Sequence, residues 1–422
     1  MESKCFFASV CVLVGLMAPL PAQDKPEPTL TLRRCVEIAL ERNPLLLSSQ
    51  GLYEASLARV QQARELSPPA LSYDSDLQPG PFDFGKTRET YLGINQTLEL
   101  PGRRILRGRI AARESDQAGA DVEILKLDLA FQVKQAFYGL LLAGEKIQYA
   151  AQDLELAEDF LAKAEAQLAA GDTAEVEALR ARVEAAKAAN GLRIARNEEA
   201  LAAAGLNYLL ARRPREPLRL AEEAARSDLD FDPERLKGWA MEARPEMRRI
   251  RAAEEGEALK IKQARLSQLP DFDLGLAQHK IGGEAASWDF TLSFSLPLFF
   301  WQPKRGAVAE SEASARALRR EAEDLRNQIE RDVEEAAMNA ASARDQIRLF
   351  EDRILKPAEE VYQAFLYRFQ AGEIGGIELI EARRSLLEAR RSYADARLNY
   401  HVTVASLERA IARSLEGAPH EK

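Results

Sequence analysis

Pro44 and Pro245, Pro69 and Pro270, and Gly171 and Gly372 are each 201 residues apart. A chain that repeats its helix breakers at one spacing is built from two copies of one unit, so every element must be placed twice. Other side chains keep the register: Ala39 falls on Ala240, Glu41 on Glu242, Glu177 on Glu378 and Arg182 on Arg383. The copies are read as 23–213 and 233–415, with a linker at 214–232 and a short tail at 416–422.

Within each copy the order is a helical segment, two short strands, a very long helix, a turn and a returning helix. The strand pairs are Ala70–Leu77 with Thr90–Leu98 and Asp271–Gln278 with Trp288–Leu296, and Thr291 to Leu296 alternates apolar and polar side chains with period two. Gln78 to Asp83 and Lys280 to Glu284 carry the proline and glycine of turns. Pro101-Gly102 and Pro303 then open helices predicted over Arg103 to about Leu168 and Lys304 to about Gln370. At about 1.5 Å per residue each reaches roughly 100 Å and needs partners along its whole length.

The second long helix shows its seam most plainly. Leu318, Ala322, Leu325, Ile329, Val333 and Ala336 begin a series spaced by threes and fours that continues to Phe365. This is mostly a heptad rhythm with extra fours that locally unwind a supercoil; it is read as coiled-coil packing, and a single long helical hairpin would show nearly the same pattern. Alanine at many seam positions lets backbones approach closely, and an aromatic content of only 7% suits thin helix-to-helix seams better than one thick core. Pro357 interrupts this helix where copy one has Leu156, which predicts a bend near Ile354–Pro357 that copy one lacks.

Four short strands cannot close a barrel. In lipid each unpaired backbone group costs about several kcal/mol, and spanning barrels have roughly eight strands or more. A membrane reading therefore requires several chains in one barrel. Periodicity alone fits equally well a small soluble sheet capping a helical bundle. Phe299-Phe300-Trp301 at a strand end suits a membrane boundary, and would look the same in a buried cluster.

Residues 1–22 read as a signal peptide. Phe6 to Leu16 is nearly all apolar yet too short to span a bilayer permanently, and Pro19-Leu20-Pro21-Ala22 offers small residues for cleavage near Ala22 or Gln23. Cys5 and Cys11 would leave with it, and Cys35, then the one cysteine left, is expected as a small buried hydrophobe. The formal net charge of −9 argues against nucleic acid as a partner.

The segments Leu30-Thr-Leu-Arg-Arg-Cys-Val-Glu-Ile-Ala-Leu-Glu-Arg-Asn-Pro44, Gln96 to Arg104, Phe294 to Phe300 and Gly372-Glu-Ile-Gly-Gly-Ile-Glu-Leu-Ile-Glu-Ala-Arg383 resemble the outer membrane factors of Gram-negative bacteria, the TolC-like outer membrane efflux proteins. The likeness covers essentially the whole chain after the leader. Leu98-Glu-Leu-Pro-Gly-Arg-Arg104 is similar to the branch that includes heavy-metal efflux channels. The resemblance implies a mainly α fold with β, in which long antiparallel coiled-coil helices accompany four transmembrane strands per chain. It also implies a homotrimer sharing a twelve-stranded barrel in outer-membrane lipid and a helical periplasmic tunnel. The expected partners are a periplasmic adaptor (membrane fusion) protein and an inner-membrane pump of the RND type.

The resemblance further implies a constricted entrance lined by acidic residues just after the second tip turn. These fall on Glu378 and Glu381, with Glu177 the copy-one counterpart of Glu378 and Arg180 that of Glu381. Residues three apart share a helix face, and symmetry would stack such carboxylates into rings that attract cations. On spacing alone, solvated glutamates paired locally with Arg383 or Arg384 explain the pattern as well. Where a familiar member has a tyrosine and an arginine that tie its entrance shut, this chain has Phe369 and Ile374, so its closed state is expected to rest on other contacts. The turns at Gly171-Asp172 and Gly372-Glu373 let paired helices reverse, and the resemblance makes them the adaptor contact.

No catalytic constellation is present. His279, His401 and His420 are widely separated, without metal-ligand spacing, a nucleophile elbow or a phosphate loop, and no cofactor is expected. His279 is read as a lone surface histidine, in preference to one placed near a barrel loop. The competing reading is an exported structural coiled coil or adaptor protein without a pore.

Overall fold

The computed structural model describes residues 29–76, 80, 88–171, 174–221, 232–267, 269–294 and 305–415. The leader at 1–22, Asp172, most of the turn at 78–83, the cluster at 299–301, His420 and the tail lie outside the described residues.

Copy one opens with α1 (Leu32–Arg42), capped by Thr31, and α2 (Pro44–Gln62), which starts on Pro44 with the Asn43 side chain accepting from Leu45 N and Leu46 N. Proline at a first helical position loses no hydrogen bond, because that N–H is unpaired anyway. Strands β1 (Ala70–Asp76) and β2 (Glu89–Leu98) follow, then α3 (Arg103–Ala170) and α4 (Glu175–Leu209). Copy two runs α5 (Pro233–Ala243), α6 (Pro245–Leu266), β3 (Phe272–Ile281), β4 (Ser287–Phe294), α7 (Arg305–Leu349), a π-helical turn at Phe350–Ile354, α8 (Leu355–Gln370) and α9 (Gly376–Ile411). The uninterrupted 68 residues of α3 reach about 100 Å. The strands form one antiparallel sheet in the order β1-β2-β3-β4, so β1 and β4 are its edges.

The interruption announced by Pro357 lies one turn upstream of it. Leu355 N–H donates to Phe350 O, five residues back. A π turn absorbs one extra residue, and the repeat shows that it does so here. Buried Val122, Leu129, Val133, Phe137, Leu140 and Ala150 on α3 correspond to buried Ala322, Ile329, Val333, Ala337 and Ala340 on α7 and Phe350 at the start of the π turn, an offset of 200. Beyond the turn Gly171 and Gly372 restore 201, with φ of 79° and 76°. The single offset read from prolines and glycines is thus corrected to 200 along α7. The insertion, together with the proline, marks copy two as different.

Toward the turns at Gly171 and Gly372 the helices pack side by side, α4 on α3, α3 on α9, and α9 on α7 and α8. Seams inside a copy are apolar and rich in alanine, as with Ala157, Ala185 and Ala188 between α3 and α4. Copy one meets copy two along α3, which packs on both α6 and α9, and the α3–α9 seam is largely ionic: Arg409 Nε to Asp128 at 2.7 Å, Arg397 to both Glu145 oxygens at 2.7 and 2.8 Å, Lys146 to Asp395 at 2.6 Å, and Lys134 to Glu408.

At the upper end of α4 and α9 the two copies tie down their ends alike with different residues. Asn43 Nδ2 donates to Leu209 O at 3.1 Å, and 201 residues on Arg244 Nε donates to Ala410 O at 2.6 Å. Ala211 and Ala412, the next equivalent pair, both take left-handed φ, 55° and 52°, to end these helices. Cys35 is fully buried beside them, as expected. The start of the linker is bound rather than free: Leu30 N donates to Arg219 O at 2.7 Å and Ala221 N to Leu30 O at 3.0 Å.

Candidate functional site

Strand register sorts the sheet into two chemically opposite faces. Directly paired residues in an antiparallel sheet point to the same side, so Leu71, Ile94, Leu276 and Phe290 share one face and Tyr73, Leu92 and Trp288 the next row of it, while Phe272 and Phe294 close its lower end. These large apolar side chains are all solvent-exposed in the single chain. The other face carries Ser72, Asp74, Glu89, Asn95, Asp273, Asp289 and Thr291. One face thus suits hydrocarbon and the other water, the alternation of a membrane-spanning barrel wall. Among the described residues no helix is long and apolar enough to cross a membrane. His279 is not a lone surface histidine: it stacks on Tyr91 with ring centroids 4.0 Å apart, its Nε2 lies 2.9 Å from Glu89 and its Nδ1 3.6 Å from Asp289.

Two glycine-ended helical hairpins form the far end. Gly372 N donates to Phe369 O and Glu373 N to Arg368 O, both at 3.0 Å, satisfying carbonyls left open at the end of α8. Gly171 N donates likewise to Leu168 O at 3.1 Å. Glu373 is exposed and pairs with Arg368 at 3.3 Å, and Ile374 is half-buried in the turn.

The first turn of α4 carries Glu177, and the first two turns of α9 carry Glu378 and Glu381. Glu378 and Glu381 are both exposed. Glu381 is paired with Arg384 at 3.0 Å, whereas Glu378 makes no ion pair with a described residue. Glu177 differs: it pairs with Arg180 at 3.1 Å, and its Oε2 is enclosed without a hydrogen-bond partner. The pair from copy two therefore offers open charge and its copy-one counterpart does not. Phe369 packs on Phe160 of α3 with ring centroids 5.6 Å apart, in an apolar cleft between the hairpins that also takes in Leu156, Tyr362, Leu366 and Leu379.

Beneath these carboxylates lies a buried ionic node that the sequence does not single out. Arg383 of α9, 7% exposed, is held between Asp153 of α3 at 3.4 Å and Glu184 of α4 at 3.5 Å. Glu184 also receives Arg384 at 2.6 Å and Lys187 at 3.0 Å. Burial raises the Asp153 carboxyl above its usual pKa against the pull of Arg383, whereas at Glu184 burial is outweighed by Lys187 and Arg384 and the pKa is lowered. Gly376, which starts α9, touches the other hairpin: a Cβ built there would stand 2.6 Å from Phe160 Cζ. Among the described residues no group of His, Cys, Asp and Glu could hold a metal ion.

Comparison with known proteins fits this geometry. The outer membrane efflux protein family model matches residues 35–212 and 238–413, once per copy. The cobalt-zinc-cadmium resistance protein CzcC of Cupriavidus metallidurans is 25% identical over 411 residues, covering 94% of this chain and 93% of the relative. A membrane protein from Pseudomonas aeruginosa superposes with a TM-score of 0.79 at 19% identity over 92% of each chain. The open state of the MtrE outer membrane channel of Neisseria gonorrhoeae does so at 0.76 and 19%, over 91% of this chain and 89% of that one. Channels of this family are non-catalytic conduits that work with a periplasmic adaptor and an inner-membrane transporter. The chain belongs to the outer membrane efflux protein family, as an outer-membrane channel with a long periplasmic helical extension.

Proposed function

We propose that three copies of this chain close a twelve-stranded barrel and a continuous helical tunnel. This conduit carries divalent heavy-metal cations delivered by an RND-type pump through a periplasmic adaptor. The observation that carries the assembly is the sheet, whose apolar face and two unpaired edges, β1 and β4, are tolerable in lipid only if neighbouring copies pair them. Support for the cargo class comes from the relative named for cobalt, zinc and cadmium resistance, together with the open carboxylates at the tip. The adaptor is expected at the exposed reversals around Gly171-Asp172 and Gly372-Glu373, of which Asp172 lies outside the described residues.

In this reading Glu378 and Glu381 form threefold acidic rings at the periplasmic entrance, which favour cations and repel one another. Glu378 is the stronger contributor, because Arg384 partly neutralises Glu381. Phe369 and Ile374 close the entrance by packing, and the Arg383 node supplies the ionic link. Planar-bilayer recordings test this. Detergent-extracted particles of three chains should conduct with cation preference, which Glu378→Gln reduces more than Glu381→Gln. Unchanged preference in the double variant would refute the rings, and particles of any other chain number would refute the assembly.

A further inference from the structure

The apolar cleft between the two hairpins has the makings of a ligand site. It lies near the tip where α3, α8 and α9 meet, and it encloses about 530 Å³ including its open mouth, a size within the range of small-molecule pockets. Phe160, Tyr362 and Phe369 supply rings to its walls, Leu366 and Leu379 complete them, and Arg383 lies along the same lining.

Two hydrogen-bond donors in this setting have no acceptor. Arg383 Nε is enclosed and unsatisfied: Asp153 Oδ1 approaches to 3.4 Å without forming a hydrogen bond and is likewise unsatisfied. Tyr362 is 5% exposed, and its hydroxyl bonds to no described residue. Burial holds the phenol above its usual pKa against the pull of Arg383, so it keeps its proton and remains a donor. A buried donor without an acceptor is costly, and native structures retain one where a ligand or an ordered water completes it.

The repeat supplies the contrast. At the offset of 201, Tyr362, Phe369 and Phe160 correspond to Leu161, Leu168 and Val361, and Arg383 to Arg182, whose side chain is 59% exposed and paired with Glu165 at 2.9 Å. Aliphatic side chains and a solvated arginine therefore serve at the equivalent positions. The rings and enclosed donors belong to the meeting of the copies inside the chain and are not dictated by the repeat.

We infer that this cleft binds a small aromatic carboxylate, its ring against Phe160 and Phe369 and its carboxylate accepting from Tyr362 Oη–H and Arg383 Nε–H. Aromatic groups favour tilted neighbours, the arrangement Phe160 and Phe369 already have at 54°, and an ionised acceptor makes the stronger hydrogen bonds. Burial has raised the Asp153 carboxyl, so a ligand that draws Arg383 toward itself leaves behind a group able to take up a proton rather than a stranded charge. The ligand touches α3 on one side and α8 and α9 on the other, and so ties the hairpins at their present spacing. Its effect on conduction rests on the entrance proposed above, whereas binding does not.

The test titrates the exported full chain in mild detergent with sodium benzoate by calorimetry, subtracting the signal of detergent alone. Saturable binding of one benzoate per chain is expected, and much weaker binding of toluene, which has the ring without the carboxylate. Tyr362→Phe should weaken benzoate binding about tenfold or more. Arg383→Gln should abolish it, while Arg182→Gln at the copy-one equivalent should leave it unchanged. Leu366→Trp, which fills the cleft and spares both donors, should also abolish it, with melting curves showing that each variant is folded. In planar bilayers benzoate should lower the conductance of the wild-type channel more than that of Tyr362→Phe. Absence of saturable binding, or equal binding by wild type, Tyr362→Phe and Arg383→Gln, overturns the site and leaves water as the partner of its donors. Binding without an effect on conductance overturns the tie between hairpins. If Glu378→Gln also leaves conduction unchanged, the entrance reading fails, and the titration still decides the site.

Discussion

Arg383 Nε stands 3.4 Å from Asp153 Oδ1, with each side chain about nine-tenths enclosed, so that a single ion pair joins α9 of copy two to α3 of copy one near the tunnel tip. Removing one partner of a buried pair strands the other charge and costs about 3–5 kcal/mol, whereas replacing both with apolar groups is often neutral. Arg383→Met should therefore loosen the tip and raise open-channel conductance. Arg383→Met with Asp153→Leu should return most of the lost stability. Thermal melting and conductance of the three proteins check this, and equal damage in the single and double variants would contradict it.

The His401 imidazole is pushed down to about 4, first by burial and then by Arg397. The unfolded chain, with its ordinary value near 6.5, binds the proton more readily than the folded one between these limits. Stability contributed by the neutral ring is thus fully present above about pH 6.5 and is lost as pH falls toward 4. Linkage at about 1.4 kcal/mol per unit makes the loss of order 3 kcal/mol per chain. Melting temperature measured from pH 7.5 to 4.5 should fall, and His401→Gln should flatten the curve across that window.

Gly376→Ala should force the two hairpins apart, because its Cβ would stand 2.6 Å from Phe160 Cζ. Overpacking of this kind costs about 1–3 kcal/mol. Phe160→Leu should relieve it, giving a suppressor pair readable as protease resistance of the tip. An unaltered Gly376→Ala protein would show that α9 is free of α3 at this point.

The sheet faces predict opposite responses to one kind of change. A cation at the bilayer midplane on a lipid-facing strand costs about 2–4 kcal/mol. Leu276→Lys should thus impair folding into bilayers, while Thr291→Lys on the other face should fold normally and reduce cation preference. Refolding into lipid vesicles separates the two.

Much of this was legible from sequence because breakers punctuate it: Gly171 and Gly372 sit in the turns expected of them, and Pro44 and Pro245 start helices. Strand alternation gave the hairpins to within about three residues at each described end. The node of Asp153, Glu184 and Arg383 was not legible, since each looks like an ordinary solvated helix charge until three helices meet. The 200-residue offset was readable in Leu129 against Ile329 and Val133 against Val333, but every anchor of the repeat, from Ala39 and Ala240 to Arg182 and Arg383, lies outside α3 and α7 above the turn and keeps 201. His279 was misread because a cross-strand carboxylate has no sequence signature when it lies 190 residues away.

The inserted residue accounts for the π turn without Pro357. Pro357→Ala should leave the turn in place, since the surplus residue still has to be absorbed. Deleting Asp352 should replace the π turn with α-helical hydrogen bonding and, if Pro357 is also changed to Ala, give a protein that folds with the phase of copy one. Hydrogen exchange over 345–360 distinguishes these outcomes.

The surplus residue at Phe350–Ile354 also sets a splice rule. Along α7 the second copy matches the first at an offset of 200 and beyond the turn at 201, so a chimera exchanging whole hairpins between copies would arrive at its tip rotated by about 100°. Grafts joined within the π turn, with one residue added or removed there, would keep Tyr362 and Phe369 facing the neighbouring hairpin, and the tip thereby becomes a transferable module.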